Sequence, residues 1–141
     1  MFVDSSVLVA ILKGEPEAAG FTAALAEAKG KLWVSSIVRF EVIASLAISR
    51  ARSSGRIHAD SEDFDVAAEL LNDLLREIEA KDAHLSAAIG AAALDAARTF
   101  GKLSGHPARL NMGDCFSYAC AKAYRAPLLY KGEDFAQTDL A

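Results

Sequence analysis

Three acidic residues stand where a carboxylate is expensive to keep. Glu41 interrupts the apolar helical stripe of "IVRFEVIASLAISRAR", in which Ile37, Phe40, Ala44, Ala47, Ile48 and Ala51 recur at helical spacing. A carboxylate there needs a basic partner, a proton or a metal ion, and no basic residue lies on that stripe. Asp4 directly follows "MFV", and Asp114 sits at the mouth of the apolar helix in "LNMGDCFSYACAK". Capping explains Asp4 and Asp114 locally, the second with Asn111 as N-cap three residues earlier. The other reading gathers all three acids in one cleft. Their mutual repulsion then calls for a divalent cation, and an oxygen-only donor set points to Mg²⁺ or Mn²⁺. Such an ion suits attack of water on a phosphodiester.

The distribution of charge supports a phosphodiester more than its total does. The net charge of the 141 residues is -4. Yet Arg98, Lys102, Arg109, Lys122, Arg125 and Lys131 fall in a window whose only acid is Asp114, whereas Asp60 to Glu79 holds eight acids and one arginine. Two readings are open: two ordinary solvated helix faces, or a basic rim around an acidic centre. His58, His84 and His106 are scattered, and Cys115 and Cys120 are five apart, which fits neither a redox pair nor a zinc pair. Zinc and histidine mechanisms are disfavoured, and the two cysteines read as packing residues.

The elements that must position these acids alternate. Strands are expected at "MFV", "KLWVS" and "APLLY", with a short third strand at "REIEA" and a terminal edge strand at "TDL". Helices are expected after a Ser5 or Ser6 cap to about Leu12, in "EPEAAGFTAALAEAKG" between Pro16 and Gly30, and from a Ser35 or Ser36 cap to Arg52. Further helices are expected from Asp60 to about Leu75, in "AHLSAAIGAAALDAARTFG", and from Asn111 to about Tyr124. "SSGRIH" and "KLSGHPARLN" read as loops. The fold class is α/β, a single domain over 1–141 with a mainly parallel central sheet. Ligands of such sheets bind beyond the carboxyl ends of the strands, where Asp4 and the acids of "KGEDF" fall. At 52% hydrophobic residues the chain reads as globular. No signal peptide and no membrane span are expected, and a reducing cytoplasm is the default.

The stretches "MFVDSSVLVAIL", "RFEVIASL", "LNMGDCFSYACAKA" and "PLLYKGEDFAQTDL" together resemble the PIN-domain family, and in particular VapC-type ribonuclease toxins of toxin–antitoxin pairs. The likeness runs through nearly the whole chain in the same order. It implies a PIN-like three-layer α/β/α sandwich and Mg²⁺- or Mn²⁺-dependent endonucleolytic cleavage of RNA, often tRNA or ribosomal RNA. It also implies a homodimer and inhibition by a VapB-type antitoxin. Asp4, Glu41 and Asp114 match the family's principal metal-site acids. Many members carry a further acid at the end of the last strand, where this chain has Gly132. Asp134 is then either a fourth carboxylate or a residue that shapes the turn before Phe135. Many members have Thr-Asn or Thr-Ser after the first Asp, where this chain has Ser5-Ser6; a serine hydroxyl can make the same bond to a neighbouring carboxylate, and Ser6 is expected to hold the metal site together. Tyr118, one helical turn after Asp114, reads as core or as a flank of the cleft.

Rival readings are weaker. A receiver domain has adjacent acids after its first strand, and an Asp-nucleophile phosphatase has a second Asp two residues after the first. "VDSSV" has neither. A non-catalytic PIN-like module that binds RNA or an antitoxin is kept open by Gly132.

Overall fold

The computed structural model describes residues 1–140. Its strands are short. β1 (Phe2–Val3), β2 (Trp33–Val34), β3 (Lys81–Asp82) and β4 (Leu128–Leu129) form one sheet in the order β3-β2-β1-β4. Every pairing is parallel, with Phe2 opposite both Trp33 and Leu128, Val3 opposite Leu129, and Trp33 opposite Lys81. Helices α1 (Ser5–Lys13), α2 (Ala18–Glu27), α3 (Ser36–Ser53), α4 (Ser61–Glu77), α5 (Ala87–Phe100) and α6 (Met112–Ala123) make the crossovers that parallel strands require. The result is a PIN-like α/β/α sandwich. Among the described residues no helix is long and apolar enough to cross a membrane.

Phe2, Val3 and Val34 are fully buried, as strands covered on both faces should be. Val7, Leu8, Val38, Val42, Leu71, Ala119 and Cys120 close the core from the helices. α3 packs along α4, α5 along α6, and α1 against α2 and α3. The chain leaves β1 toward β2 on one side, and β4 is added on the other. The crevice beyond the carboxyl end of β1 is therefore a topological switch point, and Asp4 is the first residue in it.

Four local expectations need correction. Asp4, not Ser5 or Ser6, is the N-cap of α1, and its side chain accepts from the Ser6 amide. "REIEA" is not a strand: Leu71, Leu75 and Ile78 continue one buried helical stripe, α4 runs to Glu77, and the strand is the next polar pair, Lys81–Asp82. "TDL" is a turn rather than an edge strand. Asp139 is gripped there by the Tyr118 hydroxyl and the Lys122 ammonium, both at 2.6 Å. In α3 the buried stripe is Val38, Val42, Leu46, Ala47 and Ala51, while Phe40 is 73% exposed.

Candidate functional site

Three helix N-termini meet at the carboxyl edge of the sheet, and each brings one acid. Asp4 caps α1 directly after β1. Asn111 caps α6 in a capping box: its Oδ1 accepts from the Asp114 amide at 2.9 Å, and Asp114 Oδ2 accepts from the Asn111 amide at 3.0 Å. Ser35 caps α3 by accepting from the Val38 amide at 3.1 Å, which fixes the helix that carries Glu41. Capping and site are thus not alternatives for Asp4 and Asp114. The same carboxylates that start the helices lie in the crevice, where the positive helix ends partly offset their charge.

Asp4 is only 3% exposed and both its oxygens accept hydrogen bonds. Oδ2 accepts from the Ser6 amide at 3.0 Å and from Ser6 Oγ at 2.6 Å. Oδ1 accepts from Ser117 Oγ at 2.7 Å. Ser6 Oγ in turn accepts from the Lys131 amide at 3.0 Å, so the loop after β4 is tied to α1 and to Asp4. This relay holds the Asp4 carboxylate in one orientation.

Glu41 is held differently. It is half-buried, and Oε1 is buried with no hydrogen-bond partner. Its carboxylate lies against Gly113 in the first turn of α6. A Cβ on Gly113 would overlap it, reaching Cδ at 2.5 Å and Oε1 at 2.6 Å, so only glycine admits this approach. Burial, reinforced by the charges of Asp4 and then Asp114, pushes Glu41 up to about 7; the nearby Ser5 hydroxyl opposes the shift. Burial also pushes Asp114 up to about 6, with Asp4 and Asp134 adding to it and the Asn111 amide opposing it. Asp4, Glu41 and Asp114 therefore lie within electrostatic reach of one another, and Asp134 within reach of Asp114. Asp134 itself is exposed, just before the buried Phe135.

A hard cation fits the character of this cleft. The donors are carboxylate oxygens, one buried oxygen lacks a partner, and two of the acids, buried beside other carboxylates, hold protons unusually tightly. Among the described residues, no three His, Cys, Asp or Glu side chains are already drawn together into a metal cage. The acids share a cleft without closing on a common point.

Two participants escaped the reading of the sequence. Ser117 is buried and directly orients Asp4. Gly113 makes room for Glu41. A signal existed: positions 113 and 117 are four apart and share the face of α6 that turns toward β1. Tyr118 lies elsewhere, tilted against Phe100 with its hydroxyl on Asp139. The supposed basic rim is also thinner than its sequence suggests. Arg98 pairs with Asp95, Lys122 with Asp139, and Lys131 with Glu15 and Glu17.

Comparison with known proteins agrees with this architecture. The family described as PIN domain matches residues 1–140. A VapC ribonuclease of Rhizobium meliloti (strain 1021) is 44% identical over 139 residues, covering 99% of this chain and 98% of its own. Ribonuclease VapC28 of Mycobacterium tuberculosis (strain ATCC 25618 / H37Rv) is 37% identical, with 98% and 93% covered. Ribonuclease VapC30 of Mycobacterium tuberculosis (strain CDC 1551 / Oshkosh) is 38% identical, with 100% and 96% covered.

Proposed function

The chain belongs to the PIN-domain family, and from that premise we propose that it is a VapC-type endoribonuclease, the toxin of a toxin–antitoxin pair. One observation carries the reading: the Glu41 carboxylate is held beside Asp4 and Asp114 with a buried oxygen unpartnered and no base to neutralise it. A purely structural acid would have found a partner.

Asp4, Glu41 and Asp114 would hold Mg²⁺ or Mn²⁺, with Asp134 at the rim as a fourth carboxylate. Such an ion supplies a lowered pKa for water, its orientation, and neutralisation of charge on the leaving oxygen. Ser6 and Ser117 keep Asp4 from rotating. Free of the ion, the Glu41 carboxyl is pushed up to about 7, so it must give up a proton to serve as a ligand. Nothing in this scheme needs a side-chain nucleophile. The VapC names of the relatives further support a VapB-type antitoxin as partner and an RNA strand as substrate; a homodimer as the working form and the cytoplasm as location complete the proposal.

The test is cleavage of labelled RNA by the purified chain with Mg²⁺ or Mn²⁺, followed by sequencing of the new ends. Asp4→Asn and Asp114→Asn should each lower the rate by at least about 100-fold, and a chelator should abolish it. Undiminished cleavage in chelator, or in Asp114→Asn, would sink the proposal. Gly132, standing where many members have an acid, favours a second reading as a binding module. RNA binding without any new ends, under every divalent ion tried, would select it.

A further inference from the structure

Half of the six basic side chains between Arg98 and Lys131 are already neutralised by carboxylates. Of the other three, Lys102 and Arg109 line one cavity of about 390 Å³, together with Gly105, His106 and Pro107. Among the described residues neither pairs with an acid. What looked along the sequence like a diffuse basic rim becomes, in three dimensions, one small basic cavity.

The loop that forms it is braced before any ligand arrives. The Lys102 amide donates to the Leu110 carbonyl at 3.0 Å, the Leu110 amide to Phe100 at 3.1 Å, and the His106 amide to Gly101 at 3.2 Å. Gly101 and Leu110 form an isolated parallel bridge. The His106 ring stands edge-on to Phe100, centroids 5.3 Å apart. Its Nδ1 accepts from the Ala108 amide at 3.1 Å, which puts the proton of the neutral ring on Nε2, away from the loop. Arg109 holds a left-handed backbone at φ 52°, a conformation that costs a residue with a side chain about 1 kcal/mol or more. The cavity thus combines an ammonium, a guanidinium fork and an oriented imidazole edge on a fixed frame. That combination suits a tetrahedral anion with oxygens on several sides.

We propose that this cavity seats one backbone phosphate of an RNA strand whose scissile bond lies at the acidic cleft. The proposal rests on the ribonuclease reading and extends it to how the substrate is held. Arg109 is five residues before Asp114, so the backbones that carry the two sites are at most about 18 Å apart at these residues. A single strand can span that with a few nucleotides. The arrangement also answers an electrostatic difficulty. A cleft of four carboxylates on a chain of net charge -4 repels phosphate, so a strand needs positive charge beside the cleft to hold it there.

The test is fluorescence anisotropy of a labelled single-stranded RNA with the intact chain in chelator, so that no cleavage intrudes, over a series of NaCl concentrations. Lys102→Gln/Arg109→Gln should flatten the slope of log affinity against log salt by about 0.7, the share of one phosphate contact on a single strand. Lys102→Arg should keep the slope. Arg125→Gln, another basic residue without an acid partner but outside the cavity, should leave it unchanged. Both residues of the double variant are exposed, so folding should survive, and Lys102→Gln alone gives a milder second probe. An unchanged slope in the double variant, or an equal drop in Arg125→Gln, overturns the cavity proposal while leaving the nuclease reading intact. Failure of the parent chain to bind RNA at any salt also overturns the cavity proposal, while the nuclease reading is decided separately by cleavage with Mg²⁺ or Mn²⁺.

Discussion

Asp63, in the first turn of α4, accepts hydrogen bonds from Arg50 Nη1 at 2.6 Å, from both Arg56 terminal nitrogens at 2.6 and 2.9 Å, and from the Asp60 amide at 2.9 Å; Glu41, on α3, keeps a buried oxygen with no partner at all. Both acids are withdrawn from water, Asp63 completely. The two guanidiniums, Arg56 first, hold Asp63 well below the ordinary carboxylate range, while burial and neighbouring acids lift Glu41 to about 7. Asp63 joins the end of α3 to the start of α4 and is complete as it stands. Glu41 and its neighbours are complete only when a positive charge is supplied from outside. Burial alone would mark both residues as unusual; the sign of the displacement separates the structural acid from the one available for chemistry.

The comparison breaks if the two acids respond alike to neutralisation. Asp63→Asn leaves two guanidiniums around a buried amide, and its thermal midpoint should fall on the order of 10 °C, with RNA cleavage per folded molecule preserved. A drop too small to resolve would mean that the cluster is ornamental. Glu41→Gln should do the reverse, removing an unpaired charge. At pH 8 without metal it should stabilise by about 2 kcal/mol, after allowance for the half-exposed setting, and it should nearly abolish cleavage.

The same difference predicts a pH profile. Acids whose folded pKa is raised bind protons more tightly in the folded state, so their contribution to stability is lost as pH rises from the unfolded value to the folded one. For Glu41 that window is 4.5 to about 7, and for Asp114 it is 3.8 to about 6. The metal-free protein should therefore lose thermal stability between about pH 4.5 and 7, and Glu41→Gln should flatten the loss. Mg²⁺ must compete with those protons, so its stabilising shift should be large at pH 8 and small at pH 5. A thermal scan in which Mg²⁺ stabilises equally at both values would contradict the assignment.

Much of this architecture could be read from the chain because the signals were local. "MFV", "LWV" and "APLLY" are apolar runs that end at Asp4, Ser35 and Lys131-Gly132, and Asn111 with Asp114 is a capping box written out in order. β3 was hidden because its two residues, Lys81 and Asp82, are exposed and polar, while the buried Ile78 three residues earlier caps α4. Glu41 was singled out through a stripe that included Phe40, yet the buried stripe is Val38, Val42 and Leu46. Glu41 lies at its edge, which is why its carboxylate reaches the crevice instead of being sealed in the core. The basic window misled in a different way: it counted charges without knowing that Asp139, Glu15 and Glu17 would fold onto two of them, Lys122 and Lys131.

Ser117 is the subtlest case and the source of the smallest predicted effect. On α6 it is surrounded by Ala, Cys and Phe, where a buried serine is nearly indistinguishable from a small packing residue. Its function comes from Asp4, 113 positions away, which no local pattern can reveal. Removing its hydroxyl leaves Asp4 Oδ2 still held by Ser6, so the fold should lose only about 1 kcal/mol. A merely structural role would stop there. If Ser117 instead keeps Oδ1 aimed into the crevice, Ser117→Ala should also weaken Mn²⁺ binding by about 10-fold, and Ser117→Thr should restore it because the hydroxyl returns. Calorimetric titration of Mn²⁺ into the three proteins separates the roles: equal affinities would make Ser117 a helix-packing residue and leave Asp4 positioned by Ser6 alone.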